Sequence, residues 1–217
     1  MPAPAHAPAF PETPAEVLPG LAELIASELA PKVVDIDLKG VYPGDFLKQL
    51  GTLGGLGSLT PVEHGGTAHG LGHAIRLIED VSKECVSTGF LLWAEYALQW
   101  YVINSSNHAL AAEMLPKMAR GEVLGGTAQS NSMKSCVGIE EARLKAQRVD
   151  GGYVINGVLP WVSNIGLDHW FHMGATLPDT PGLVIGLVHG STPGLTLTQN
   201  AHFIGMEGTN TFACQFR

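Results

Sequence analysis

Apolar residues in this chain keep helical spacing up to Gly121 and alternate with polar ones after it, and that single change of period constrains the fold more than any motif does. Leu21, Leu24, Ile25 and Leu29 mark one amphipathic helix, Phe46, Leu47 and Leu50 a short second, and Leu71, Ile75, Ile78 and Cys85 a third. Pro31 closes the first of these, Gly51 is placed to cap the second and Thr67 to cap the third. Asn107 to Ala119 reads as a further helix that Pro116 breaks or kinks, since its ring removes a backbone donor and crowds the preceding turn. Beyond Gly121, Arg143 to Val149 and Tyr153 to Val158 alternate on either side of Asp150-Gly151-Gly152, which predicts a hairpin. Runs at 169–176, 183–189, 194–198 and 211–216, separated by Pro178, Pro181, Pro193 and Gly205, predict further short strands. The expected fold class is therefore α+β, an N-terminal α-helical domain followed by a small antiparallel β-barrel or sandwich. Residues 1–14 read as a loose arm, 15–122 as the helical domain and 123–217 as the β-barrel domain.

Composition narrows the partners. Lys and Arg number 12 against 20 Asp and Glu, a net charge of −8, so no basic face is expected that could neutralise a run of phosphates, and nucleic acid is excluded as a partner. Cys85, Cys136 and Cys214 form no paired motif, which fits a reducing compartment, and the first ten residues carry no secretory pattern, so the expected location is cytoplasmic. Val86 to Ile103 is the most apolar stretch, but Glu95 lies near its middle, where a charge costs roughly 2.5 to 3.5 kcal/mol on insertion scales. No membrane span is expected there; a buried helix is.

Several residues invite a chemical reading. The glycines of 51–57 and 64–66 have neither P-loop nor dinucleotide-fingerprint spacing, and no G-x-S-x-G elbow occurs. His69 and His73 stand at i, i+4, yet without the Glu of H-E-x-x-H, so they read as surface or loop histidines and no metal site is expected. His169 and His172 sit three apart in a predicted strand, on opposite faces. Glu95 falls in the stripe of Leu91, Leu98 and Val102, while Trp93, Ala97 and Trp100 cover the opposite side, so its carboxylate is expected to be buried. Such a group is paired, hydrogen-bonded or protonated, the same conditions that make a general acid or base, and Glu95 is a candidate for the substrate pocket. Trp161 and Ser163 lie on one strand face, an indole beside a hydroxyl that together suit a planar heteroaromatic cofactor.

The order of these segments resembles the acyl-CoA dehydrogenase family. Val34 to Leu56 with Tyr42-Pro43 is similar to its second helix and turn, Glu63-His64-Gly65-Gly66 to its E-x-G-G loop, and Leu115 to Glu122 (LPKMARGE) to the stretch that leads into its middle β-domain. Tyr153 to Asn164 (YVINGVLPWVSN) carries the most specific likeness, to Y-x-I-N-G-x-x-x-W-I-[TS]-N. The resemblance implies non-covalent FAD. It places Trp161 beside the flavin ring, Ser163 near N5 with Val162 between them, and the segment Ala128, Gln129 and Ser130 at the pyrimidine edge. Asn131 and Ser132 replace the family's usual acid and proline, and Met133 to Glu140 lacks the G-A-G-S-D run that helps hold flavin and CoA.

The family continues into a C-terminal helical domain that supplies the catalytic base, further flavin contacts and most of the oligomer interface. The expectation here is a truncated product, a chain whose C-terminal half lies elsewhere, or a split subunit. The implied reaction is α,β-dehydrogenation of an acyl-CoA thioester with hydride transfer to FAD N5, in a homo-oligomer that passes electrons to an electron-transfer flavoprotein. Two alternatives stand beside it: a flavin-dependent monooxygenase, served by a flavin reductase and acting on another small molecule, and a non-catalytic subunit of a hetero-oligomer.

Overall fold

A computed structural model describes residues 17–178, 182–199 and 201–217; the expected arm at 1–14 and the punctuating Pro181 lie outside the described residues. The chain begins with α1 (Leu21–Leu24), which runs through a π-helical turn at Ile25–Leu29 and a 3-10 turn at Ala30–Lys32 into α2 (Val33–Lys39). Pro31 therefore tightens the helical path without ending it, because a proline in the first turn gives up a donor that has no partner there anyway. α3 (Gly44–Thr52) follows, then α4 (Leu71–Glu84), α5 (Val86–Ile103) and α6 (His108–Ala119).

Three local expectations are corrected. Gly51 lies inside α3 and is there for close approach: a Cβ would stand 2.6 Å from Arg120 C and from Gly121 N. Gly70, not Thr67, precedes α4, while the Thr67 hydroxyl donates to Gly57 O. α6 runs straight through Pro116; the lost hydrogen bond is offset by the burial of Ala111, Met114, Leu115 and Met118 on its inner face.

After α6 the chain enters β1 (Gly125–Ala128), turns through a short α7 (Ser130–Cys136) and forms β2 (Leu144–Val149) and β3 (Gly152–Val162) as the expected hairpin, with Gly151 at φ +83°. β4 (Trp170–Thr176), β5 (Leu183–His189), β6 (Leu195–Thr198) and β7 (Phe212–Phe216) complete a curled sheet in the order β1-β4-β2-β3-β7-β6, with β5 on the free side of β4. Most ladders are antiparallel; β1 pairs with β4 in parallel, Gly125 opposite Trp170 through Ala128 opposite Met173. β1 ends at Ala128, since the polar run Ser130-Asn131-Ser132 offers no alternation to bury and coils into α7.

The buried apolar residues form separate clusters. Phe46, Leu47, Leu50, Leu77, Leu91 and Leu92 centre one among the helices. Leu144, Leu159, Val162, Phe171, Met173 and Phe216 centre another inside the curled sheet. A third, of Leu98, Val102, Met114, Leu115 and Met118, lies where α5 and α6 meet Trp170 and Leu187 of the sheet. No helix among the described residues is long and apolar enough to cross a membrane.

Candidate functional site

α5 is apolar on nearly every side, and Glu95 is fully buried within it. Its Oε1 accepts from the backbone N–H of Gly125 at 2.9 Å and from Asn164 Nδ2 at 2.7 Å, while Oε2 has no partner among the described residues. Burial pushes its pKa up to about 8 against the two hydrogen bonds, so the side chain is mostly a neutral acid at pH 7. Asn164 takes the left-handed conformation at φ 59°, which Asn tolerates better than most residues. Its Nδ2 also donates to Gly125 O at 2.6 Å, and its Oδ1 accepts from Tyr42 Oη at 2.7 Å. Burial above all, then the charges of Glu95 and Asp168, hold the Tyr42 phenol far above its ordinary pKa, so it stays a donor. One buried carboxyl thus ties together the start of β1 and Asn164, two residues beyond the end of β3. Glu95 is sealed from solvent and joins elements together; it does not open onto a substrate pocket.

Those two tied segments line a groove of about 150 Å³, walled by Thr127, Ala128, Ser130, Trp161 and Val162, with Lys134, Arg143 and Glu140 at its rim. Trp161 is 70% exposed, an open indole face that an apolar side chain in a packed sheet would not keep, while Val162 beside it turns into the barrel core at 1%. Thr127 Oγ1 is buried without a hydrogen-bond partner among the described residues. Lys134 reaches Glu140 at 3.5 Å, which leaves Arg143 as an uncompensated cation among these three. Asn131, at the position where the resemblance expects an acid, serves the backbone: its Nδ2 donates to Glu141 O and its Oδ1 accepts from Arg143 N, which fixes the loop behind α7.

Of the residues singled out from the sequence, Ala128, Ser130, Trp161 and Val162 meet in this groove. The side chains of Gln129 and Ser163 are engaged elsewhere. Gln129 is buried, its Nε2 2.6 Å from His172 Nδ1 and its Oε1 accepting from Ser132 Oγ. Ser163 Oγ lies 2.7 Å from Thr211 Oγ1, which lies 2.9 Å from Thr209 Oγ1. Sequence reasoning missed Thr127, Lys134 and Arg143, because the pattern between Gly121 and Arg143 gave no sign of α7; the pair Gly125-Gly126 signals the close approach, since a Cβ on either would collide with Trp170 O or Ser163 O.

The histidines have structural roles. His73 is buried, contrary to a surface reading, with Nδ1 3.0 Å from Ser58 Oγ and Nε2 2.7 Å from Val17 O, so neither nitrogen is left for a metal it would share with His69. His169 precedes β4 and sits 3.1 Å from Asn164 O; His172 stacks on Tyr101 with centroids 4.0 Å apart, and burial lowers its pKa to about 4.

A helical bundle is laid against a curled sheet, and the sheet portion carries the groove with the exposed indole of Trp161. Residues 12–122, just over half of the chain, match the family model for the acyl-CoA dehydrogenase N-terminal domain. The chain belongs to the acyl-CoA dehydrogenase family, whose members are FAD-dependent oxidoreductases. It is 28% identical over 199 residues to the mitochondrial isovaleryl-CoA dehydrogenase of Pongo abelii, covering 88% of this chain and 47% of that one. It is 26% identical over 189 residues to the benzylmalonyl-CoA dehydrogenase of Aromatoleum aromaticum, covering 87% and 50%. The fold is that of the butyryl-CoA dehydrogenase of Megasphaera elsdenii, with a TM-score of 0.79, 20% identity, and coverage of 96% of this chain and 57% of that one. The chain spans about half the length of the curated relatives it matches.

Proposed function

We propose that this chain forms the helical and β-barrel portion of an enzyme that removes hydrogen across the α,β bond of an acyl-CoA thioester, with FAD as its cofactor. The observation that carries the reading is the groove between β1–α7 and the end of β3, which the exposed Trp161 lines together with Ser130 and Thr127. These residues fit one side of a flavin: a flat apolar plate, hydroxyls at its edge, and Arg143 as the cation left over for a phosphate. At about 150 Å³ the groove falls short of the roughly 300–1,000 Å³ of a complete ligand pocket, so the facing wall comes from another part of the polypeptide or from a second chain.

In this reading FAD, when bound, accepts the hydride. Trp161 excludes water from one face of the site, and Ser130 and Thr127 orient the ring edge. Glu95 is sealed from the groove, so it is not the base that takes the α-proton. An electron-transfer flavoprotein reoxidises the complete enzyme, which is a homo-oligomer. The named relatives act on branched and aromatic acyl-CoA thioesters, which sets the range to try first.

The test is anaerobic mixing of the FAD-loaded complete protein with isovaleryl-CoA, butyryl-CoA and benzylmalonyl-CoA. Bleaching of the oxidised flavin by one of them supports the proposal. Oxygen consumption after reduction by a flavin reductase, with no bleaching by any thioester, assigns the scaffold to a monooxygenase instead, and failure to take up FAD assigns it to a non-catalytic subunit.

A further inference from the structure

β4 and β5 pair without a shift from Trp170 opposite His189 to Thr176 opposite Leu183. One step beyond that register His169 O accepts from Gly190 N at 2.8 Å, and in an antiparallel ladder the bonded pairs recur at every second residue. The backbone groups of Val184, Gly186 and Val188 are therefore turned to β4, and those of Ile185 and Leu187 are turned away from it. Trp170 agrees with this phase, since its N–H points away from β5 and donates to Leu124 O at 3.1 Å. Among the described residues no strand pairs with the outer edge of β5, and no backbone hydrogen bond takes up the outward groups of Ile185 or Leu187.

This edge lacks the devices that keep sheet edges apart. β6, which ends the ladder beyond β7, is four residues long with Pro193 just before it. β5 is seven residues long, Leu-Val-Ile-Gly-Leu-Val-His, with no Asp, Glu, Lys, Arg or proline and no bulge. Beside it lies a crevice of about 440 Å³ lined by Trp100, Tyr101, Leu110, Ile185 and Leu187, of which Trp100 and Ile185 are 51% and 59% exposed. No Asp, Glu, Lys or Arg lines the crevice, so a charged partner finds no counter-ion there. Two copies of a chain of net charge −8 can meet on such a surface without bringing like charges into contact.

We propose that this edge is a self-association surface, on which β5 of a second copy pairs antiparallel with β5 about a two-fold axis near Gly186. In that register Ile185 of one copy stands opposite Leu187 of the other, and each such pair exchanges the backbone hydrogen bonds that β4 leaves unused. Side chains two apart on a strand share a face, so the Ile185 and Leu187 side chains of each copy extend the apolar wall of the other's crevice. The pairing is independent of the flavin reading and assigns one interface of the homo-oligomer proposed above.

The experiment compares residue-level amide exchange and sedimentation of the complete protein with those of its I185K and I185T variants at one concentration. The amides at 185 and 187 are expected to exchange at least about tenfold faster in I185K than in the parent, together with a halving of the assembly mass. I185T, which cuts the apolar contact without adding charge, is expected to move both readouts the same way by less. The amides of Val184, Gly186 and Val188 stay protected in a variant that keeps the β4–β5 ladder; if I185K loses that protection, I185T is the deciding variant. Fast exchange at 185 and 187 in the parent overturns the proposal. Slow exchange there that neither variant relieves, or relief without a change of mass, overturns it as well, because the edge is then covered from within one copy.

Discussion

Glu95 shows how one residue can be anticipated in kind and misjudged in use. The helical stripe placed it in the interior, and an interior carboxyl has to be bonded or protonated; it is both. What α5 alone could not reveal is that the partners come from 30 and 69 residues further on, which makes Glu95 a tie between the helices and the sheet. Its folded pKa of about 8 lies above the unfolded value near 4.3, so the folded state binds more protons between those limits. The stability Glu95 contributes is therefore fully present below about pH 4.3 and is lost as pH rises through 8. His172 acts the other way, since its folded pKa of about 4 lies below the ordinary 6.5; stability falls as pH drops from 6.5 to 4. Above pH 6.5 the His172 contribution is complete, so the slope between 6.5 and 8 reads Glu95. We expect the thermal midpoint of the parent to fall across that window, by roughly 2–4 °C for each kcal/mol lost, and that of Glu95→Gln, which keeps an acceptor and cannot ionise, to stay flat. Parallel pH profiles for the two proteins would show that Glu95 does not titrate there.

Among the elements, periodicity revealed the long helices and the hairpin because each buries one regular face: α4, α5 and the β2–β3 pair fall where the apolar spacing puts them. It failed at Pro116 and at α7, where tertiary context decides. Pro116 stays helical because the inner face of α6 is buried on both sides of it, so Pro116→Ala should restore the missing hydrogen bond and stabilise the fold by about 1–3 kcal/mol in urea denaturation. A destabilised variant would mean that the proline ring packs in a way the helix needs. At the site, Trp161 and Ser130 were legible from the strand pattern and the resemblance, while Thr127, Lys134 and Arg143 were not, since their convergence depends on how closely β1 lies against β4. Gly125 permits that approach, because a side chain there would strike Trp170 O. Gly125→Ala is expected to cost about 3 kcal/mol and to disturb the Glu95 hydrogen bond as well; an unchanged unfolding midpoint would contradict it.

At the scale of the whole molecule, separate cores in the helices and in the curled sheet meet through a smaller junction cluster and are held together by α5, α6 and the Glu95–Asn164 tie. The groove, lined by residues between Thr127 and Val162, provides one wall of the proposed binding site, so these 217 residues alone should hold FAD far more weakly than the complete protein does. The central claim is that the Trp161 face of this groove holds the flavin ring. Titration of the complete protein and of its Trp161→Ala variant with FAD, followed by quenching of flavin fluorescence, tests it most directly. Saturable binding by the parent and at least tenfold weaker binding by the variant is the predicted result; equal affinities, or no binding by the parent, would contradict it.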